Sequence, residues 1–122
     1  MSRIEEFMLD EKNIIYFDLS GFTIDMEYID FIATAKTVIK KYPPESIYTI
    51  TNMKDAKVGL NTHEIVSDWV AHNKPYVKFG VVCGADTTAK VIGKTVSAVT
   101  NRSNLAYVST KEEAEDYILE LE

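Results

Sequence analysis

Apolar and polar positions along the chain repeat one pattern four times: a short apolar run, a turn, and a longer segment with helical spacing. The pattern extends over residues 14–42, 47–73, 77–101 and 105–121. Strands that alternate with helices are joined by right-handed crossovers, and this order is typical of a mainly parallel sheet. We therefore predict an α/β fold with functional loops gathered at one end of the sheet.

The first forty residues predict a β-hairpin followed by a helix. Residues 4–9 and 14–19 alternate like strands, and the polar tetrad 10–13 predicts the turn between them. Asp25 is expected to cap the first helix, which Pro43 and Pro44 should end. Its predicted inner stripe consists of Ile29, Ile32, Ile39 and the aliphatic stem of Lys36.

The middle of the chain predicts two interior strands and a second helix. Residues 47–51 are rich in β-branched side chains, and Asn61-x-x-Glu64 predicts a capping box after them. The segment from Val77 to Cys83 is the most apolar strand, so we expect it at the centre of the sheet.

The last third of the chain predicts a helix, a short strand over residues 105–108 and a final helix. Thr110-x-x-Glu113 predicts a capping box for the final helix. Altogether we predict one domain, residues 1–122, with a mixed, mostly parallel five-stranded sheet and four helices. In the third helix the expected inward residues are Ala89, Ile92, Val96 and Val99.

Composition narrows the classes of partner and compartment. The 122 residues carry a net charge of −6, which disfavours nonspecific nucleic-acid binding because that requires a basic face. The amino terminus runs directly into charged residues, unlike a signal peptide, and no apolar run approaches the ~20 residues of a membrane span. We expect a cytoplasmic protein with no transmembrane segment and no nucleic-acid partner.

The cysteine and histidine positions give no recognisable catalytic or metal motif. Cys83 is the single cysteine, which excludes an intrachain disulfide. It precedes a helix start, a setting that can activate a thiol, but Ala89 stands where a phosphatase loop needs arginine. His63-Glu64 is followed by Ser67 where a zinc protease helix needs its second histidine. We favour a buried structural Cys83 and expect no metal and no cofactor.

The start of the third helix is the candidate anion site. Gly84 permits a tight turn after a strand, and free N–H groups of the next helix can point at a ligand. Thr87 and Thr88 add hydroxyl groups, and Lys90 adds a positive charge. Ligands of open parallel sheets lie beyond the carboxyl ends of the strands. The alternative, which we weigh above anion binding, is that Asp86 acts as an ordinary N-cap.

Two further features of the same region have plain structural readings. Gly93-Lys94-Thr95 copies the end of a P-loop, but Thr88 replaces the required glycine and the triplet lies within a helix. We predict that Gly93 lets this helix approach the sheet closely. The second half of the chain also carries five basic residues, Lys74, Lys78, Lys90, Lys94 and Arg102. They either form one basic patch or are separately exposed to solvent.

Five short motifs carry a resemblance that covers nearly the whole chain. They are IYFDLSG at 15–21, NKPYVK at 73–78, VVCG at 81–84, TNR at 100–102 and STKEEA at 109–114. In this order the chain resembles the STAS domain, and more closely the SpoIIAA-like (STAS/SEC14-like) family of short prokaryotic proteins. STAS domains of signalling proteins carry a phosphorylatable serine at the start of the helix after the third strand. The resemblance therefore implies Asn61 and Thr62 as the phospho-acceptor position, and residues 52–62 as a docking surface.

Two functions of different classes follow. Our leading expectation is a non-enzymatic regulatory module that docks a protein partner. The alternative is a small carrier or sensor for an anionic or lipid-like molecule held between helices and sheet. A fully packed core would favour the first, and a cavity of a few hundred Å³ the second. An enzymatic function is the third possibility, and it would require an exposed, reactive Cys83. Homodimerisation through a sheet edge or an apolar helix patch stays open.

Overall fold

The computed structural model describes residues 2–121, the side chain of Leu60 excepted. Over this part of the chain five strands and four helices follow the predicted order, and the predicted α/β fold is confirmed. No helix within 2–121 is long and apolar enough to cross a bilayer. The elements are β1 (Ile4–Leu9), β2 (Lys12–Asp18), α1 (Asp25–Ile39), β3 (Ile47–Asn52), α2 (Leu60–Asn73), β4 (Val77–Cys83), α3 (Thr87–Val99), β5 (Leu105–Val108) and α4 (Lys111–Leu119).

The strands lie side by side in sequence order. β1 pairs antiparallel with β2, and β2, β3, β4 and β5 are mutually parallel. The centre of the sheet is therefore β3, and the prediction that placed β4 there was wrong by one strand. β4 is nevertheless an interior strand with neighbours on both sides, which accounts for its apolar sequence.

The hairpin turn is tighter than predicted. Asp10 and Glu11 have positive φ angles of 48° and 70°, as in the two-residue turns that match the twist of paired strands. Lys12 and Asn13 consequently belong to β2, where Lys12 is opposite Leu9.

The start of α1 differs from the expected cap. Asp25 is the first helical residue and Ile24 holds the cap position. Glu27 supplies the capping oxygen, because its Oε1 accepts from the backbone N–H groups of Thr23 at 3.0 Å and Ile24 at 3.2 Å. The carboxylate of Asp25 is thereby left for another partner, described below.

The other predicted caps have mixed outcomes. Gly59 precedes α2, so Asn61 lies inside the first turn and the predicted capping box at Asn61 was wrong. The cap of α4 is confirmed, because Thr110 Oγ1 accepts from the backbone N–H of Glu113 at 3.1 Å. Asp86 is likewise the N-cap of α3, with its Oδ1 accepting from Ala89 N at 2.8 Å.

Helices cover both faces of the sheet. Each crossover joins neighbouring parallel strands with the same hand, which places α1, α2 and α3 on one face. On that face α1 and α2 pack over β2 around Phe17, Phe31 and Trp69. On the other face α4 inserts Ala114 and Ile118 against β3 and β4.

α3 touches the sheet along a narrow seam. Val96 is buried, and Ala89, Ile92 and Gly93 also face inward. Val99 is 72% exposed, so its predicted inward position was wrong. Thr100, one helical turn after Val96, is half-buried, and its Oγ1 donates to the Val96 carbonyl at 2.7 Å. On α1, Ile29 is also exposed rather than part of the inner stripe.

Candidate functional site

A cavity of about 90 Å³ lies between the sheet, α2 and α3. One water needs roughly 10–15 Å³, so the space takes several waters or a small organic molecule. It is smaller than the few hundred Å³ expected of a carrier, yet the core is not fully packed. Its floor includes Thr49, Thr51, Val82, Leu105 and Tyr107, α2 contributes Val66, Trp69, Val70 and Asn73, and α3 contributes Ala89, Ile92, Gly93 and Val96.

Gly80, in the middle of β4, lies next to three residues that line this cavity. A Cβ built on Gly80 would stand 2.8 Å from both Leu105 Cδ2 and Thr49 Oγ1, and 3.3 Å from Arg102 Nη2. Because glycine lacks that carbon, the Arg102 guanidinium can lie directly over the β4 backbone. We call this position the Gly80 cradle.

The turn after α3 directs Arg102 inward. Asn101 adopts a left-handed φ of 56°, the conformation common just beyond helix ends. The backbone N–H of Arg102 donates to Ser97 O at 2.8 Å, and that of Asn101 to Ala98 O at 3.3 Å. This pair of bonds is the Schellman motif, which ends the helix and turns the chain back toward the sheet.

Asn104 and the end of α2 hold the guanidinium in place. Arg102 Nε donates to Asn104 Oδ1 at 2.9 Å, and Asn104 Nδ2 donates to the carbonyl of Val77 at 3.0 Å. Arg102 Nη1 lies 3.5 Å from the carbonyl of Val70, in the last turn of α2. The helix carbonyls carry partial negative charge there, which favours a cation. These contacts fix the orientation of the arginine side chain.

The third guanidinium nitrogen lacks a hydrogen-bond partner. Arg102 is 5% exposed, and Nη2 is buried with no acceptor among residues 2–121. None of the ion pairs within those residues includes Arg102. Burial lowers the pKa of Arg102 to about 10, so the group remains charged near neutral pH. An uncompensated buried cation is costly, and an anion in the cavity would offset that cost.

Trp69 also lines the cavity and carries a second buried donor. Its ring is 4% exposed and packs edge-on against Phe17, with centroids 5.1 Å apart. Its Nε1 is buried and has no acceptor within the described part of the chain. We call Arg102 Nη2 and Trp69 Nε1 the cavity donors.

Gly93 has the packing role predicted from the sequence. A Cβ on Gly93 would come within 2.3 Å of the Tyr107 hydroxyl oxygen. α3 therefore approaches β5 closely at this glycine. Burial raises the pKa of Tyr107, so its hydroxyl stays protonated at neutral pH.

The residues of the predicted anion site do not join this cavity. Thr87, Thr88 and Lys90 are exposed, and the Asp86 carboxylate occupies the helix start. Gly84 has a positive φ of 74°, as its turn requires, but a Cβ there would stand 3.0 Å from Lys54. The geometry at this helix start therefore supports the N-cap interpretation.

The implied phospho-acceptor is a buried hydroxyl. Thr62 is 3% exposed, and its Oγ1 donates to Asp25 Oδ1 at 2.5 Å. Asn61 next to it is exposed. A kinase could reach Thr62 only after the start of α2 separates from α1. A phosphate there would also face the Asp25 carboxylate.

Cys83 is a packed residue of the other sheet face. It is 2% exposed within the cluster under α4. Burial raises its thiol pKa to about 11, with the Asp18 charge adding to the effect. A thiol with that pKa is a poor nucleophile at neutral pH.

Sequence reasoning missed the importance of Arg102 and Gly80. Arg102 counted as one of five surface cations, of which the four lysines are indeed exposed. A usable signal was the isolated glycine inside the most apolar strand, because such a glycine often marks a place where another group approaches the strand backbone closely. Nothing in the sequence pairs that glycine with an arginine 22 positions later.

No protein-family model matches the chain, and no curated protein gives a significant sequence match.

Proposed function

We propose that this protein is a non-enzymatic carrier or sensor that binds a small anionic molecule in the cavity between the sheet, α2 and α3. The observation that carries the proposal is the buried guanidinium of Arg102, with Nη2 unpaired within residues 2–121 and directed at the Gly80 cradle. Of the two functions expected from the sequence, the carrier or sensor is the one that this arrangement favours.

The lining of the cavity favours binding over catalysis. None of the described lining residues is a carboxylate, a histidine or a cysteine, the usual general bases and nucleophiles. The lining combines apolar walls with a few polar groups, which is the usual composition of a small-molecule site. A bound molecule would be oriented there and left chemically unchanged.

We also propose that the chain is a STAS-like protein of the SpoIIAA-like (STAS/SEC14-like) type. The support is the order of its elements, an amino-terminal hairpin followed by alternating helices and strands. The five motifs named above lie in β2, at the start and the end of β4, after α3 and at the start of α4.

A second proposal is the docking of a protein partner on residues 52–62. This loop is fixed against the start of α1, because Tyr28 Oη donates to the Lys57 carbonyl at 2.9 Å. Beside it, Ile24 and Met26 expose apolar side chains. A rigid loop next to exposed apolar residues is suited to partner contact. Capture of a partner that is lost on changing both Ile24 and Met26 to Ser would support this second function.

Extraction of the purified protein tests the carrier or sensor function. Wild type and Arg102→Met are purified in parallel from the same host, denatured in organic solvent, and the released molecules compared by mass spectrometry. We expect an anionic compound enriched in the wild-type extract. Identical extracts, together with no thermal shift of wild type by any small anion at 10 mM, would contradict the proposal.

A further inference from the structure

The hydrogen-bonding character of the cavity limits its ligand. Guanidinium and indole N–H groups donate and cannot accept, so both cavity donors require acceptors. An ionised carboxylate brings two acceptor oxygens and no donor. Nη2 carries two N–H groups and has no acceptor among residues 2–121. A carboxylate in the cavity, which Arg102 lines, satisfies Nη2 without leaving a donor of its own unpaired.

The charge of the cavity limits the ligand further. Among the lining residues within 2–121, Arg102 is the one with a formal charge. A single negative charge balances it. A phosphate monoester carries about −1.5 to −2 near neutral pH and would bring excess negative charge into a site of low polarity. The balance favours a monoanion.

The size of the cavity sets the length of the ligand. An engineered cavity of about 150 Å³ in another protein binds benzene, which has about six heavy atoms. The present volume of about 90 Å³ is three fifths of that and, in the same proportion, suits roughly four non-hydrogen atoms. Acetate has four non-hydrogen atoms and propionate has five, whereas butyrate, like benzene, has six. A long acyl chain would have to displace the wall formed by Trp69 and Ile92.

This inference rests on the proposed function: we infer that the ligand is a short-chain monocarboxylate of two or three carbons. Its carboxylate accepts from Arg102 Nη2 at the cavity wall, and its alkyl group lies against the apolar wall. This assigns the anion to the end of the cavity next to α2 and the α3–β5 turn, away from the start of α3.

Trp69 provides a direct readout, because it is the single tryptophan of the chain and lies on the cavity wall. Its fluorescence is titrated at constant ionic strength with acetate, propionate and octanoate. Propionamide is the neutral match for propionate, and inorganic phosphate is the more highly charged probe. We expect saturable changes with acetate and propionate, and none with propionamide or phosphate.

Variants assign the binding to Arg102. Arg102→Met should weaken propionate binding by roughly tenfold or more, as expected for loss of a charged hydrogen bond. Lys94→Met removes an exposed positive charge from α3 and should leave propionate binding unchanged. Far-ultraviolet circular dichroism confirms that both variants are folded. The propionate–propionamide comparison in wild type does not depend on any variant.

The outcomes separate this inference from the proposed function. Tighter, Arg102-dependent binding of octanoate or phosphate than of propionate would overturn the short monocarboxylate and leave an anion-binding site. Equal responses to propionate and propionamide would overturn the role of the carboxylate. Failure of every probe, combined with identical extracts in the experiment above, would mean that the cavity holds water only and would end both proposals.

Discussion

Arg102 lies over Gly80, with Nη2 3.3 Å from the point where a Cβ would stand on that glycine. The two residues come from different strand–helix units, and neither has a conspicuous role alone. Together they place a buried positive charge on the floor of an interior cavity. The relationship explains why a glycine occupies the middle of an interior strand, where a β-branched residue would otherwise favour pairing.

Gly80→Ala should close the cradle. The added carbon would stand 2.8 Å from Thr49 Oγ1 and Leu105 Cδ2, so these neighbours must move. We expect the free energy of unfolding, measured by urea denaturation, to fall by about 1–3 kcal/mol. Lys78→Ala, at an exposed position of the same strand, should change it by less than about 0.5 kcal/mol. Unchanged stability of Gly80→Ala would show that the cradle is not tightly packed.

Arg102→Met should not destabilise the ligand-free protein. Methionine retains apolar volume and removes a buried charge that lacks an acidic partner within residues 2–121. We expect the free energy of unfolding to stay constant or rise by about 1–2 kcal/mol, as when buried charges are replaced by apolar side chains. Chemical denaturation of extensively dialysed protein measures it. A loss of more than about 1 kcal/mol would assign Arg102 a structural role through Asn104 and Val70.

Thr62→Glu should destabilise the contact between α1 and α2. The new carboxylate would be buried against Asp25, which now accepts the Thr62 hydroxyl. We expect a loss of about 3 kcal/mol, compared with about 1 kcal/mol for Thr62→Val.

Asn61→Glu is the matched control for Thr62→Glu, because Asn61 is exposed in the same first turn, where negative charge is favourable. Thermal and urea unfolding would report all three changes. If Thr62→Glu were as stable as wild type, the start of α2 would be open enough for phosphorylation of Thr62.

Cys83 should resist alkylation at pH 8. With its pKa raised to about 11, its thiolate fraction is roughly two orders of magnitude below that of an ordinary cysteine with a pKa near 8.5. Reaction with iodoacetamide should therefore be slow in the native protein and fast in 6 M guanidinium chloride. The native rate should increase as pH approaches 11. Rapid native reaction at pH 8 would restore Cys83 as a candidate nucleophile.

Local patterns in the sequence were enough for the elements and their order. Alternating apolar runs and helical stripes depend on neighbouring residues, so β4 and the cap at Thr110 were predicted correctly. Caps failed where a tertiary contact intervened. Asp25 resembles an N-cap, yet its carboxylate accepts a hydrogen bond from α2, and Glu27 caps α1 instead.

The candidate site depended on contacts that no local pattern encodes. From the sequence, Arg102 was one of several cations and the start of α3 was the best anion site. Parallel pairing places Gly80 beside Leu105, and the Schellman turn after α3 then directs Arg102 onto that glycine. Hydrophobic periodicity determined which segments form strands and helices, because it reports which side of each element avoids water. Only the tertiary structure decided that one arginine would be buried without an acidic partner within residues 2–121, because burial depends on segments distant in the sequence that close over it.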